Sequence, residues 1–581
     1  MKNPMLNEVA TSEVTTDVFI GLDRNLKIAE GAMGEMENMT ADYYPLLACR
    51  DRRTLGQVLV KPNGLLAKEK LAWVSNRNLY YGAQDLTDYL LDAGVHLTDS
   101  PKQLVSMGAY IIILPDKAYI STVNPQECGP IEADWTVPAE REAAASICMA
   151  DGGECNYIPS AVPPENPQAG QFWRDTSGTS DVLKVYGSTG WTAVETVYCR
   201  IDCPGIGEQF RENDAVTLTG AGDLDGSRIL YGVTRDSVIL IGSVRQRTVY
   251  KAGSLRLRRT MPDLDFCIEC GNRLWGCKYG MADGKTVNEL YCCALGDFKN
   301  WNRFAGVSTD SWAGSVGTDG PWTGAINYLG NPLFFKEEHL HKIYVSGSGA
   351  HEVVDTACRG VQKGCAGSLC VVQEQLYYKS RDGICVYDGS LPSSVSYSLG
   401  QERYGGAVGG SIGSKYYLSM GNDRGWNLFC YDVSRRCWTR EDSLHAEAMV
   451  RLEDELYLLD RDSRQLIGLT GRGQGEREGR VRWSCATGII GYADPRHKYV
   501  SRFCVRLKLE DGASVQVSIE YDSDGRWLPC GSIVGNGLRS SLLPVRPRRC
   551  DHFRIRMTGL GEAKIYSISK VYERGSDVCG R

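Results

Sequence analysis

Histidine is scarce in this sequence, with seven copies among 581 residues, so few side chains are suited to act as general bases near neutral pH. No His-Glu-x-x-His zinc signature is present. The glycine-rich residues 220–226 lack the Lys-Ser/Thr pair of a phosphate-binding loop, so they do not indicate a nucleotide site. The sequence therefore predicts a protein that is not an enzyme, with no catalytic residues, no cofactor and no bound metal.

Long apolar runs are also missing. The longest, residues 110–114, is far shorter than the roughly 20 residues that span a bilayer, which predicts no membrane span. Residues 1–10 have no apolar core, so we expect no secretory signal. Charged residues make up 23% of the chain and the net charge is −6, which argues against both an acidic disordered chain and a basic nucleic-acid-binding protein.

Cysteine, by contrast, is numerous, with 22 copies, although this density is below that of small disulfide-stapled domains. Without a secretory signal, we expect reduced thiols that pack as small hydrophobic groups. The pattern most suggestive of zinc is Cys267-x2-Cys270, followed by Cys277 and by Cys292-Cys293. Because adjacent residues of a strand point to opposite faces, the last pair fits a zinc site poorly, and we interpret all five as core residues.

Glycine and aromatic residues are abundant, with 65 Gly, 30 Tyr and 12 Trp, which favours short strands joined by tight turns. A turn residue followed by two or three large apolar residues recurs along the chain. It occurs at Leu79, Leu274, Leu290, Leu333, Leu376, Tyr417 and Leu456. The last four are 43, 41 and 39 residues apart, a period typical of propeller blades. The fold class is thus predicted to be all-β with a β-propeller, and an array of β-sandwiches is the alternative.

The extent of this repeat defines the predicted domains. Residues 54–122 and 253–470 are expected to close into one propeller, and residues 123–252, where the repeat disappears, to form an inserted β-rich domain. After a polar glycine-rich linker, residues 480–575 contain alternating apolar and polar positions, which predict a C-terminal β-sandwich of jelly-roll type. Residues 1–53 remain as an N-terminal arm with the first strands.

The predicted insert contains two features of its own. Residues 138–150 are interpreted as including one short helix. Farther along, Trp173 and Trp191 lie in a small β unit that would project from the propeller, and we interpret them as possible ligand-stacking residues. They support an alternative function, that of a glycan-binding or host-receptor-binding β-propeller protein.

The N-terminal arm has strand character, because apolar and polar residues alternate in residues 11–26. This strand precedes the first blade, so its edge needs a partner, which a neighbouring subunit would provide. A basic cluster follows the arm, either as a solvated face or as a subunit contact, since arginine is favoured at interfaces. The predicted assembly contacts are Val18, Ile20, Leu22, Arg50, Arg52 and Arg53.

Residues 19–53 combine Gly31, Glu37-Asn38-Met39 and Tyr44-Pro45-Leu46 with this arginine cluster. In this combination the segment resembles the opening of tail proteins encoded by bacteriophages and prophages of Gram-positive hosts. The blades, the interrupting insert and the C-terminal motif at residues 547–561 are similar to the same group, so the resemblance extends over most of the chain.

The resemblance implies a structural component of the virion tail, similar to the β-propeller nozzle or stabilisation proteins of short-tailed phages. The expected partners are copies of the protein itself, other tail or adaptor proteins, and DNA passing through a central channel during ejection. The expected assembly is a ring, hexameric if it follows the nozzle pattern. It would form in the host cytoplasm and remain in the virion tail.

Overall fold

The computed structural model describes residues 11–574, apart from residues 283, 495 and 547, and is almost entirely β-structure. The decapeptide that we expected not to be a signal, and residue 547 of the C-terminal motif, lie outside the described residues. Helical structure in the described part is limited to short segments, the α-helix Thr87–Asp92 and the 3-10 helices Gly222–Leu224, Ala366–Ser368 and Tyr397–Leu399. None of these helices has the length and apolar character needed to cross a membrane.

Six four-stranded antiparallel sheets form the propeller blades 1 to 6, each built from consecutive strands. Blade 1 contains Pro62–Ala67, Leu71–Ser75, Asn78–Tyr81 and Gln84–Asp85. Blade 2 contains Gln103–Met107, Tyr110–Leu114, Ala118–Ser121 and Cys128–Pro130. Blade 3 contains Phe266–Glu269, Leu274–Ala282, Lys285–Cys292 and Trp312–Ser315. Blade 4 contains Gly324–Tyr328, Asn331–Phe335, His339–Tyr344 and Glu352–Ala357. Blade 5 contains Cys370–Val372, Gln375–Ser380, Gly383–Tyr387 and Ser393–Ser394. Blade 6 contains Gly406–Ile412, Lys415–Asn422, Gly425–Asp432 and Cys437–Arg440.

Blade 7 closes the propeller by combining strands from distant parts of the chain. Its first three strands are Ala446–Leu452, Glu455–Asp460 and Gln465–Gly468. The fourth strand, Thr54–Val58, comes from before blade 1 and pairs antiparallel with Gln465–Gly468. The two-residue strand Glu476–Arg477 pairs with its other edge. The closed β-propeller confirms the predicted fold class, and the closing strand joins the two ends of the blade array.

The first strand of each blade lies innermost, because these strands contact one another around the ring. Direct contacts run from blade 5 through blades 6, 7, 1, 2 and 3 to blade 4. Between blades 4 and 5, the 3-10 helix Ala366–Ser368 contacts the first strand of blade 4 and the second strand of blade 5. The repeat residues Leu333, Leu376, Tyr417 and Leu456 all lie in second strands and are buried, which explains the regular spacing in the sequence.

The insert lies between the last strand of blade 2 and the first strand of blade 3, and consists of two sheets. In order of pairing, the larger sheet contains Ala133–Thr136, Arg256–Arg259, Ala215–Thr219, Gly226–Val233, Ser237–Ile241, Tyr198–Asp202, Ala143–Cys148 and Thr248–Tyr250. The smaller sheet contains Tyr157–Ser160, Phe172–Asp175, Val182–Gly187 and Gly190–Ala193. The prediction of a helix in residues 138–150 is wrong. Residues 143, 145 and 147 are buried, and this period of two matches a strand with one face on the insert's core.

The C-terminal β-sandwich also consists of two sheets, and both contain strands from the N-terminus. Sheet 1 contains Met39–Thr40, Leu47–Cys49, Ala563–Arg574, Lys498–Leu509 and Gly537–Pro544, with Thr11–Thr16 and Arg549–Cys550 paired at its sides. Sheet 2 contains Gly21–Leu22, Ala32–Glu37, Arg482–Thr487, Phe553–Leu560, Ser514–Tyr521 and Leu528–Val534. The segment that we expected to form a separate arm therefore belongs to the sandwich, because its strands complete sheets whose other strands lie after residue 480.

The sandwich packs against the propeller at blades 5 and 6, and one hydrophobic core extends across both units. At Gly21, where φ is +93°, the α-carbon lies so close to the backbone of Trp438 that a Cβ would be 2.5 Å from the Trp438 carbonyl oxygen. Trp438 itself is buried and closes blade 6 on this side. An ion pair of 2.6 Å between Lys415 Nζ and Asp42 Oδ1 adds a polar contact to the same interface. The glycine is thus required where the two units meet.

We predict that Leu55→Pro destabilises the propeller by about 3 kcal/mol or more, because proline removes a backbone donor and Leu55 pairs on both sides in blade 7. Urea unfolding followed by tryptophan fluorescence measures the effect. Val123→Pro, at an exposed position outside the strands, is the matched control. Equal unfolding midpoints for the two variants would show that the closing strand does not contribute to stability.

Candidate functional site

The arginines predicted as assembly contacts lie where the chain passes from the sandwich into the propeller. Arg53, of which 3% is exposed, forms ion pairs of 2.5 Å with both Glu441 and Asp442. Arg50 is also buried and pairs with Glu478, while its Nε donates a hydrogen bond of 2.7 Å to Asn38 Oδ1. We call Arg50, Arg53, Glu441, Asp442 and Glu478 the junction cluster.

Position in the chain explains why the junction cluster forms. Arg53 immediately precedes the closing strand Thr54–Val58, and the two acidic residues follow the last strand of blade 6. Burial alone would raise the pKa of Asp442, but the Arg53 guanidinium and the Leu444 amide hold it below its usual value. The two carboxylates in turn raise the pKa of Arg53 despite its burial. Asp442 and Arg53 are therefore both charged at neutral pH, and they tie the closing strand to the connection between blades 6 and 7.

Arg52 points to the sandwich instead, where Nη2 lies 2.9 Å from Glu510 Oε1. All three arginines of the cluster predicted from the sequence thus have acidic partners in their own chain. This differs from both interpretations made from the sequence, a solvated face and a contact with a neighbouring subunit. The difference arises because residues 441, 442, 478 and 510 are remote in sequence, so nothing local to the arginines signals these pairings.

The arm strand Thr11–Thr16 pairs antiparallel along Ala563–Arg574, with Thr11 opposite Glu573 and Thr16 opposite Ile568. The inner edge of this strand is therefore occupied within the chain, where we expected a neighbouring subunit. Leu22 is also internal, since it is 3% exposed and lies in the core shared with the sandwich. Val18 and Ile20, in contrast, are 43% and 41% exposed. Of the three predicted apolar contacts, these two remain accessible to a partner.

The two tryptophans of the insert lie together in its smaller sheet, as an edge-to-face pair with ring centroids 5.3 Å apart. Trp173 is buried, donates Nε1–H to the Ser160 carbonyl oxygen at 3.0 Å, and is covered by Lys184 Nζ at 4.9 Å from its ring. Trp191 is half-buried and also contacts Tyr186, with centroids 5.2 Å apart. Trp173 therefore supports the other two rings, and of these three aromatic side chains Trp191 and Tyr186 offer ring surface to a ligand.

The cysteines singled out in the sequence are divided between two hydrophobic clusters. Cys267 and Cys293 lie in a core between blades 2 and 3, whereas Cys270, Cys277 and Cys292 lie in a core between blades 3 and 4. Burial raises the pKa of Cys270 to about 11, so its thiol is protonated at neutral pH. Within the part of the chain that the structure describes, no group of three or more histidine, cysteine or acidic side chains is arranged to hold a metal ion.

A Gly-x-Ser-x-Gly pattern, found at the nucleophile of many hydrolases, is present at residues 409–413. In that setting the serine occupies a sharp turn between a strand and a helix. Here Ser411 lies inside the first strand of blade 6, and its hydroxyl donates a hydrogen bond of 3.3 Å to the Val371 carbonyl oxygen. The pattern therefore marks close packing of the innermost strands and does not form a nucleophile elbow.

One buried polar cluster was not indicated by any sequence motif. Lys336 lies between blades 3 and 4, where Nζ donates hydrogen bonds to Asn288 Oδ1 at 3.0 Å and to the Thr318 carbonyl oxygen at 2.5 Å. Its ammonium group is 4.6 Å from the ring centroid of Trp322, and burial lowers its pKa. Burial also lowers the pKa of His341, which contacts the same Trp322, to about 4. These residues join two blades, and their separation along the chain leaves no spacing to recognise.

No protein-family model matches the chain, and no curated protein matches it. Among solved structures, a glycoside hydrolase is similar over 52% of this chain and 96% of its own length, with 11% identity and a TM-score of 0.19. An exo-β-1,3-galactanase from Phanerochaete chrysosporium covers 52% of this chain and 94% of its own, with 10% identity and a TM-score of 0.18. The endosialidase of phage phi92 covers 82% of this chain and 56% of its own, with 10% identity and a TM-score of 0.15. These low scores carry no functional inference.

We predict that Arg53→Met lowers the free energy of unfolding by about 3–5 kcal/mol, because it leaves Glu441 and Asp442 without their buried counter-charge. Arg52→Met is the matched control. It removes a side chain that is 38% exposed, and should cost less than about 1 kcal/mol. Chemical denaturation of both variants at pH 7 checks this, and a loss of the same size for both would contradict the role given to Arg53.

The two tryptophans should respond differently to truncation. Trp173→Ala is expected to destabilise the smaller sheet of the insert by about 3–5 kcal/mol, because it removes a buried ring. Trp191→Ala should cost less, since its ring is half-buried. Amide hydrogen exchange of residues 157–193 measures both effects. Faster exchange in the Trp191 variant than in the Trp173 variant would show that Trp191, and not Trp173, is the ring that supports the sheet.

Proposed function

We propose that the protein is a structural component of a bacteriophage tail and works by assembling with copies of itself. The resemblance of residues 19–53 to phage tail proteins is the first support. In the structure these residues complete the sandwich and pass into the closing strand of the propeller, so the motifs that carry the resemblance have an architectural role. Their polar side chains join parts of the fold, as Asn38 does by donating an Nδ2–H hydrogen bond of 2.7 Å to the Arg482 carbonyl oxygen.

The observation that carries the proposal is the exposed apolar surface of the arm. Val18 and Ile20 flank the buried Phe19, so their positions are fixed by the sandwich core. Leu26 follows nearby and is fully exposed. Exposed apolar side chains at positions fixed by the core are the feature from which we infer a protein-contact surface here. A neighbouring subunit is the partner that we assign to this surface.

A contact between the arm of one subunit and a different surface of the next is heterologous, and such contacts close into a ring when the rotation permits. A ring of this kind fits a tail component, hexameric in the nozzle pattern, with a central opening through which DNA passes. In this proposal the protein has no enzymatic activity, assembles in the host cytoplasm, and contacts other tail or adaptor proteins in the virion.

A second candidate function is glycan or receptor binding by the insert. The half-buried Trp191 beside Tyr186 favours it, because this pair offers aromatic surface on a sheet that is supported from below by Trp173. Both functions are compatible with a tail protein, since a ring subunit can also carry a module that contacts the host.

We predict that Val18→Glu combined with Ile20→Glu abolishes ring formation without unfolding the chain, because it places two charges in an apolar contact. Mass photometry of the purified protein and electron microscopy of particles give the readout. Val123→Glu, at a more exposed apolar position in the propeller, is the control and should assemble normally. A wild-type protein that stays monomeric and is absent from particles, or a double variant that assembles as well as the wild type, would contradict the proposal.

A further inference from the structure

The outer face of sheet 2 carries a row of polar side chains that crosses five strands. The strand registers place Glu37 opposite Ser484, Ser484 opposite Thr558, Thr558 opposite Gln516, and Gln516 opposite Ser532. Their neighbours Met36, Cys485, Met557, Val517 and Ile533 point into the core, so these five residues face outward. At about 4.8 Å between strands, the row is roughly 19 Å long. It forms the floor of a groove of about 630 Å³.

The side chains of this row have no partners in the described part of the chain. None of Glu37, Ser484, Thr558, Gln516 and Ser532 forms a side-chain hydrogen bond or an ion pair with a described residue. Each therefore keeps its full capacity to donate or accept hydrogen bonds, and all five point to the same side of the sheet. The groove presents a line of hydrogen-bonding groups that no side chain in the described part of the protein satisfies.

The next row of outward-facing residues in sheet 2 does have side-chain partners, so the lack of partners is specific to the first row. There Arg556 Nη2 donates a hydrogen bond of 3.1 Å to Glu35 Oε2 and covers the buried Ala486 between them. The guanidinium carbon of Arg556 also stacks on Trp527, at 4.0 Å from the centroid of the tryptophan ring. In this second row, Glu35 and Arg556 therefore have side-chain partners within the chain, in contrast to the five residues of the first row.

The charges of the groove limit the kind of ligand it fits. Serine, threonine and glutamine are neutral, and the two charged side chains, Glu37 and Arg482, have opposite signs and lie at the same end. A polyanion would gain nothing from a site without net positive charge, and an apolar peptide face would bury these groups unsatisfied. A neutral, hydroxyl-rich chain matches both the absence of net charge and the density of donors and acceptors.

We propose that this groove is a binding site for an uncharged oligosaccharide that lies across the strands from Glu37 to Ser532. Hydroxyl groups of successive sugar units would bond to Ser484, Thr558 and Gln516, which occupy the middle of the row. The site is separate from Trp191 of the insert and does not depend on the assembly of subunits.

The test uses the full-length protein and linear hexasaccharides of glucose, mannose, galactose and N-acetylglucosamine, each titrated by isothermal calorimetry. We expect at least one to bind. The triple variant Ser484→Ala, Gln516→Ala, Thr558→Ala should bind it about a hundredfold more weakly, if each side chain supplies one hydrogen bond. The control variant Ser540→Ala, Ser567→Ala alters exposed or half-buried serines on the outer face of sheet 1 and should bind like the wild type.

Three results would overturn the proposal. The first is that none of the four hexasaccharides binds the wild-type protein at millimolar concentration. The second is that binding survives in the triple variant but is lost in Trp191→Ala, which would place the sugar on the insert. The third is that heparin or a DNA oligonucleotide binds in this groove more tightly than any neutral sugar, which would assign the groove to a polyanion. Circular dichroism of each variant verifies that the fold is retained.

Discussion

The buried pairing of Arg53 with Glu441 and Asp442 is the constraint on which the rest of the architecture depends. A propeller is closed only when its last blade is complete, and here the completing strand begins at the residue after Arg53. The guanidinium group therefore holds that strand in position by contacts to the connection between blades 6 and 7. Since each partner would be costly to bury alone, the charges stabilise one arrangement of the chain and penalise others.

This closure also explains how the chain is organised. The chain begins the sandwich, leaves it at residue 50, forms the whole propeller, and returns near residue 480 to finish the two sandwich sheets. The propeller is in this sense an insertion within the sandwich, and the β-rich insert is an insertion within the propeller. Strand pairs such as Thr54–Val58 with Gln465–Gly468 join residues some 400 apart, and contacts of such long range slow folding because the loop must close first.

The propeller could be predicted because its signal is local and repeated. Leu333, Leu376, Tyr417 and Leu456 occupy equivalent positions in successive blades, so their spacing reveals the period. The pairing of Thr11–Thr16 with Ala563–Arg574 could not be predicted, since a strand shows which of its faces is buried but not which remote strand it pairs with. The three alanines 143–145 favour a short helix within residues 138–150 by propensity alone, and only the core of the insert selects the strand Ala143–Cys148. The groove on sheet 2 likewise depends on registers between strands far apart in sequence.

The way the insert is attached has a consequence for the evolution of such proteins. Its first strand, Ala133–Thr136, pairs with its last, Arg256–Arg259, and Ala133 lies directly opposite Arg259. The two ends therefore leave the propeller side by side, like the stem of a hairpin, and the cores of the insert and the blades are separate clusters. A cassette joined in this way can be exchanged or lost by recombination while the scaffold keeps its strand order. Related chains can thus differ in this insert while the strand order of the propeller and the sandwich stays the same.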